Sequence, residues 1–215
     1  MVLLMVHMPK CGGTSFRKSL SSEFGSRFHK YYSDPLRKTR NKTDFYIIKQ
    51  KFRRRRAKQI PQSGIVYGHY CLDEFGNLRN KKNVKTGIFF REPIDWVGSY
   101  LLYVRKKHPH LISGDDITDI KNLNLHKAFR LHLGHVQVKQ LDFIGIVEEY
   151  QESLSRFCTT FNCNIQEEKK NVNTNRKLSY RELFQERKTL DKVTDLMKEN
   201  SDIYDEAIKH FSMYR

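Results

Sequence analysis

Short apolar runs, each followed by a stretch of helical spacing, recur along this chain and divide it into strand-then-helix units. Residues 1–7 predict a strand, residues 9–13 a tight glycine-containing loop, and residues 14–24 a helix with Thr14 or Ser15 near its N-cap. Residues 65–68 predict a second short strand that ends at Gly68-His69-Tyr70. A third run, residues 86–90, closes on Arg91-Glu92-Pro93, and the helical pattern of residues 94–107 starts from a proline suited to a first turn. Further on, residues 122–133 predict a helix, residues 142–147 a strand and residues 148–160 a helix; the tail from Leu178 keeps helical spacing behind a polar loop, residues 169–176. Strands alternating with helices imply an α/β fold, a central parallel sheet flanked by helices, with its site at the carboxyl ends of the strands. No internal repeat and no Pro/Gly/Ser-rich linker interrupts the pattern. The 215 residues, 38% of them hydrophobic, therefore predict one domain, 1–215, with a sizeable core.

Charge adds a class of partner. With 40 Lys+Arg against 24 Asp+Glu, the formal net charge of +16 favours nucleic acid, an anionic membrane, an acidic glycan or a phosphorylated cofactor. Residues 36–58 are dominated by basic side chains: Arg53-Arg54-Arg55-Arg56 stands among Lys49, Lys51 and Lys58, and Phe45, Ile47, Ile48 and Phe52 give a partial apolar face for a helix. The run reads either as a solvated helix face or as a rim that draws in an acidic acceptor, with Arg53 and Arg54 as its candidate contacts. Residues 1–7 show no basic leader or cleavage site, and no run approaches the roughly 18 apolar residues that span a bilayer. The expectation is a soluble, cytoplasmic chain without a membrane span. Cys11, Cys71, Cys158 and Cys163 are too few for a disulfide scaffold and lack paired zinc spacing. Reduced thiols are expected, with a local bridge between Cys158 and Cys163 if the chain is exported.

The sharpest chemical signal is His7-Met8-Pro9-Lys10-Cys11-Gly12-Gly13-Thr14-Ser15-Phe16. Small residues there bare backbone N–H groups where a helix begins and its dipole favours an anion, so the segment is built to hold a phosphate-like group. A nucleotide P-loop reads G-x-x-x-x-G-K-[ST], with lysine after the glycines. Here Lys10 precedes Gly12 and Gly13, which argues against an ATP or GTP hydrolase. The segment from Arg91 to Ser99 puts an arginine at a strand end and a serine about two turns into the next helix, where both can meet a second phosphate.

Together these segments resemble the two elements that bind 3′-phosphoadenosine 5′-phosphosulfate (PAPS) in the Golgi-type carbohydrate sulfotransferases, nearest in motif to the uronosyl and heparan sulfate 2-O-sulfotransferases. The step from Arg91 to Ser99 matches the family's spacing, and the segment from Asp142 to Leu154 is similar to its following strand and helix. The likeness runs over residues 1–161, with a weaker echo at residues 171–178. It implies a three-layer, P-loop-like sulfotransferase fold and an enzyme that moves a sulfuryl group from PAPS to an acceptor hydroxyl, releasing 3′-phosphoadenosine 5′-phosphate (PAP). It further implies that Lys10, Cys11, Gly12, Gly13, Thr14 and Ser15 grip the 5′-phosphosulfate, Lys10 at the oxygen bridging sulfur and phosphorus, and that Arg91 and Ser99 hold the 3′-phosphate.

Such transfer rests on positioning and charge stabilisation. A hydroxyl acceptor also needs a base, and a histidine near its ordinary pKa of about 6.5 suits that work at neutral pH. Tyr67-Gly68-His69 resembles the Gly-His element of the uronosyl 2-O-sulfotransferases, where a histidine is proposed as the base, so His69 is the first candidate. Glu74, with Asp73 beside it, is the second, because other branches of the family use a glutamate. The expected acceptor is a carbohydrate, and the basic surface leans toward an acidic glycan.

His7 reads as a structural residue on the first strand, and Trp96 as core beside the second element or as a stacking surface for adenine. His132 and His135 are three apart on a predicted helix without a third ligand of convincing spacing, so no metal is expected. Two other classes fit part of the pattern. A nucleic-acid-binding protein accounts for the charge and for Phe45, Tyr46 and Phe52 near the arginines, but leaves Lys10, Arg91 and Ser99 without a role, so nucleic acid is not the expected partner. A nucleotide kinase of similar topology lacks its lysine and a clear aspartate for magnesium.

Overall fold

The computed structural model describes residues 1–33, 35–38, 63–76, 81–165, 184 and 187–213. Within them, β1 (Val2–Val6), β2 (Phe28–Lys30), β3 (Gly64–Gly68), β4 (Val84–Phe90) and β5 (Phe143–Ile146) form one sheet in the order β2-β3-β1-β4-β5. Every pairing is parallel, with Leu4 opposite Val66 on one side and Thr86 on the other. β1 and β3 are buried along their whole length. Helices cover both faces of a parallel sheet, and its central strands therefore read as continuous apolar runs rather than alternating ones.

The helices are α1 (Gly13–Phe24), α2 (Pro35–Lys38), α3 (Pro93–Lys107), α4 (Asp116–Asn122), α5 (Ala128–Leu133), α6 (Tyr150–Phe161), α7 (Arg187–Leu196) and α8 (Lys198–Met213). Adjacent residues of β4 point to opposite faces. Phe89 meets Phe16 of α1 edge-on at 4.9 Å, and Phe16 meets Phe157 of α6 at 5.1 Å. Phe90 meets Phe129 of α5 at 5.5 Å, and Phe129 meets Trp96 of α3 at 5.6 Å. Offset and edge-to-face pairs of this kind add to the burial of the rings themselves.

The chain leaves β1 toward β2 on one side of the sheet and leaves β4 toward β5 on the other. Where connections diverge in this way, a crevice opens at the carboxyl ends of the two strands. The loops after β1 and β4 carry the two segments singled out from the sequence.

Three expectations are corrected. The predicted helix over residues 122–133 is α4 and α5 separated by a break, because Asn124 is left-handed with φ 54, a conformation asparagine tolerates. Asn200 of α8 satisfies the backbone there: its Oδ1 accepts from the Phe129 N–H at 3.1 Å and its Nδ2 donates to the Leu125 carbonyl at 2.9 Å. His135 consequently lies beyond α5 rather than on a helix with His132. α1 is capped by Gly12 and not by Thr14 or Ser15. The helix expected over residues 36–58, with Arg53 and Arg54, lies outside the described residues except for the part within α2. All four cysteines are free thiols, and burial with Cys158 alongside pushes Cys163 up to about 12. No helix among the described residues is long and apolar enough to cross a membrane.

Candidate active site

The β1–α1 loop is shaped by its backbone. Lys10 and Gly12 are both left-handed, each with φ 68. Glycine adopts this freely, whereas for a lysine it stores strain of roughly 1–3 kcal/mol, a feature found at functional sites. No side chain caps α1, and its first turn holds no acid, so the positive end of its dipole faces the loop without a competing carboxylate. Gly13 is required by a close approach: a Cβ there would lie 1.6 Å from Nε2 of His7. The His7 ring is fixed in place by stacking on Tyr67 at 5.1 Å and His69 at 4.5 Å, and the Tyr67 hydroxyl donates to the Gly13 carbonyl at 3.0 Å. Nδ1 of His7 is buried with no hydrogen-bond partner, and burial, with His69 beside it, holds the ring well below the ordinary histidine range. Cys11 is 2% exposed, and burial pushes its thiol far above the usual range. Its side chain thus belongs to the core, while Gly12 and Thr14 are exposed.

The β4–α3 loop is tied to the first. Arg91 Nη1 donates to the Lys10 carbonyl at 3.3 Å, and the Trp96 indole N–H donates to the Pro9 carbonyl at 2.7 Å. Trp96 is wholly buried, which assigns it to the core rather than to an adenine face. Glu92 caps α3 by accepting from the Asp95 N–H at 2.7 Å, and its own N–H donates to Glu148, which also accepts from the Tyr204 hydroxyl. Arg91 is half-buried, and Ser99 lies buried on α3. The Lys10 ammonium sits 5.1 Å from the ring centre of Tyr103, also on α3. Lys10, Arg91 and the start of α1 are therefore brought to one place.

His69 follows β3. Its Nδ1 is 2.5 Å from the His7 carbonyl oxygen, which can only accept, so Nδ1 carries the proton and Nε2 is the basic nitrogen. Tyr32 meets the ring edge-on at 5.1 Å. Glu74 is engaged differently. Its carboxylate accepts from the Ser33 hydroxyl at 2.5 Å, the Cys71 N–H at 3.2 Å and the Tyr31 hydroxyl at 2.9 Å, joining the exit of β2 to the helical turn Leu72–Phe75. Asp73 accepts from the backbone N–H and Nδ1 of His135. His132 is buried, with Nδ1 2.8 Å from the Ala128 carbonyl. Among the described residues no three His, Cys, Asp or Glu side chains gather to hold a metal. Arg53 and Arg54 lie outside the described residues.

The sequence reading passed over Tyr31, Ser33 and Tyr103. Tyr103 had a signal, since it stands one helical turn beyond Ser99 on the same predicted helix. Tyr31 and Ser33 had none, because their partner lies more than 40 positions away in sequence.

A parallel sheet in this order, with an anion-suited helix start after its central strand and an arginine after the neighbouring one, defines a P-loop-like α/β protein. Neither a family model nor a curated protein matches the sequence. Among solved structures, the chain is similar to mouse sulfotransferase SULT7A1 complexed with PAP, with a TM-score of 0.54 and 16% identity over 97% of this chain and 88% of that one. A sulfotransferase from Alicyclobacillus acidocaldarius aligns with a TM-score of 0.48 and 10% identity over 91% of this chain and 95% of that one. The chain has the sulfotransferase fold, as its motifs implied.

Proposed function

We propose that this protein is a sulfotransferase that moves a sulfuryl group from PAPS to a hydroxyl of a carbohydrate, an acidic glycan. The observation that carries the reading is the Arg91 guanidinium reaching the Lys10 carbonyl beside a helix start that no side chain caps. The residues fit a donor with phosphates at both ends: one anion site at the start of α1, a second cation from the next strand, and a lysine between them. The similarity to SULT7A1, itself complexed with PAP, points the same way.

When bound, PAPS supplies the sulfuryl group and a phosphate-bearing leaving group. The N–H groups at Gly12, Gly13, Thr14 and Ser15, with the α1 dipole, hold the 5′-phosphate. Cys11 contributes only main chain, its thiol being in the core. Arg91 and Ser99 hold the 3′-phosphate through charge-assisted hydrogen bonds. The Lys10 ammonium offsets charge on the leaving side as the acceptor oxygen takes over the sulfur. Nε2 of His69 removes the hydroxyl proton, while Nδ1–H stays on the His7 carbonyl and keeps the tautomer fixed. Glu74 already accepts three hydrogen bonds and is less suited to that step. Arg53 and Arg54 add to the +16 charge that attracts an acidic acceptor.

The test is a thermal-shift titration with PAP, ATP and AMP. A ligand at 100 times its Kd adds about 2.7 kcal/mol to the folded state. PAP is expected to raise Tm where ATP and AMP do not, and Lys10→Ala and Arg91→Ala to lose the shift while Arg54→Ala keeps it. No shift with PAP, beside tight salt-sensitive binding of nucleic acid, would replace this reading with a nucleic-acid-binding one.

A further inference from the structure

Trp96, Tyr100, Tyr103 and Lys107 are spaced by four, three and four positions along α3 and so share one helix face. Their rings step outward from the core. Trp96 is wholly buried, Tyr100 half-buried and Tyr103 42% exposed, with ring centres 5.6 Å apart for the first pair and 6.4 Å for the second. Tyr103 meets His108 at 6.0 Å, just past the end of the helix. Among the described residues Tyr103 is the one exposed side chain of the Phe, Tyr and Trp type, the others being buried or half-buried. It is also the ring over which the Lys10 ammonium lies, at 5.1 Å. Lys107, one turn beyond Tyr103, is exposed.

We infer that Tyr103 is the platform of an acceptor subsite: the apolar face of an acidic sugar ring stacks on it, beside Lys10, while Lys107 meets the sugar's carboxylate or sulfate. This rests on the sulfotransferase reading and adds to it the side from which the acceptor enters. A pyranose offers C–H groups on one face and hydroxyls around its rim. An aromatic face, negative at its centre, attracts those C–H groups, and an ammonium at the end of the stripe selects for an anionic substituent. Proximity to Lys10 brings a rim hydroxyl next to the residue that handles the sulfuryl group.

The probe is a disaccharide of glucuronate and N-acetylglucosamine, added to the PAP-saturated protein and followed by saturation-transfer NMR and by calorimetry. Wild type is expected to bind it with magnetisation reaching the sugar's ring C–H protons. Tyr103→Ala weakens it roughly 10–100-fold, as for loss of a stacking ring, with PAP affinity unchanged; Tyr103→Phe keeps it and Lys107→Gln lowers it less. Disaccharide binding that survives Tyr103→Ala, or that Tyr103→Phe abolishes, overturns the stacking platform. Binding of p-nitrophenol in place of the disaccharide overturns the sugar as occupant. Loss of PAP affinity in Tyr103→Ala makes the ring a support for Lys10 and overturns the subsite. Failure of PAP to bind wild type is a different result, which overturns the sulfotransferase reading and the subsite with it.

Discussion

The loop between β1 and α1 and the stretch running from β2 to the turn after β3 both border the candidate active site, yet they are held by different means. The first is fixed by backbone shape over a few residues: two left-handed positions, a glycine pressed against His7, and a helix start without a cap. The second is fixed by side chains from distant parts of the chain, with Tyr31 and Ser33 bonded to Glu74, and Asp73 bonded to His135. The first arrangement brings Lys10 and Arg91 together at the uncapped start of α1. The second uses its carboxylates to hold the fold, and His69, the proposed base, lies between the two.

The largest expected effect tests that division. His69→Ala should lower turnover by roughly 10²–10⁴-fold, the usual worth of a general base, with PAP affinity retained. Glu74→Gln should do the opposite. It leaves turnover within about tenfold but destabilises by about 1–3 kcal/mol, because three donors lose part of their acceptor. Steady-state rates and thermal melts on the two variants decide it, and an exchange of these outcomes would make Glu74 the base.

Gly13→Ala comes between them and probes the other region. The added methyl meets a His7 ring that Tyr67 and His69 prevent from sliding, so overpacking of about 1–3 kcal/mol and loss of PAP binding are expected. Adding His7→Ala removes the clash and should recover much of the Tm. A single variant with wild-type Tm would mean that the close approach is not what requires glycine.

The same contrast decides what could be read from the sequence. The β1, β3, β4 and β5 runs and the helices after β1 and β4 were legible because a doubly buried parallel sheet writes itself as apolar runs. The Lys10 loop and the Arg91-to-Ser99 step were legible because their geometry is local. β2 was missed: Phe28–Lys30 is three residues long and carries no pattern, and it is a strand because its backbone pairs with β3. The break at Asn124 was hidden likewise, since Asn200, more than 70 positions on, stabilises it. The three-donor engagement of Glu74 could not be seen in a carboxylate that sequence alone offered as a base.

The smallest effect is one of pH and rests on His7, the residue both regions share. Its ring stacks on His69, its carbonyl orients His69, and its own Nδ1 is buried without a partner. Burial, with His69 next to it, lowers its folded pKa well below the ordinary 6.5. Below pH 6.5 the unfolded chain then takes up a proton at this site that the folded chain does not. Unfolding is favoured as pH falls from 6.5 toward the depressed folded value, by at most about 1.4 kcal/mol per pH unit, and the stability is fully present above 6.5. Melts of the wild type from pH 7 to pH 5 should show Tm declining below 6.5, with a shallower decline in His7→Asn, which removes this titration and keeps His69. Parallel declines in the two proteins would mean that His7 is protonated in the folded state, and that the ring stacked on His69 is a cation rather than a neutral support.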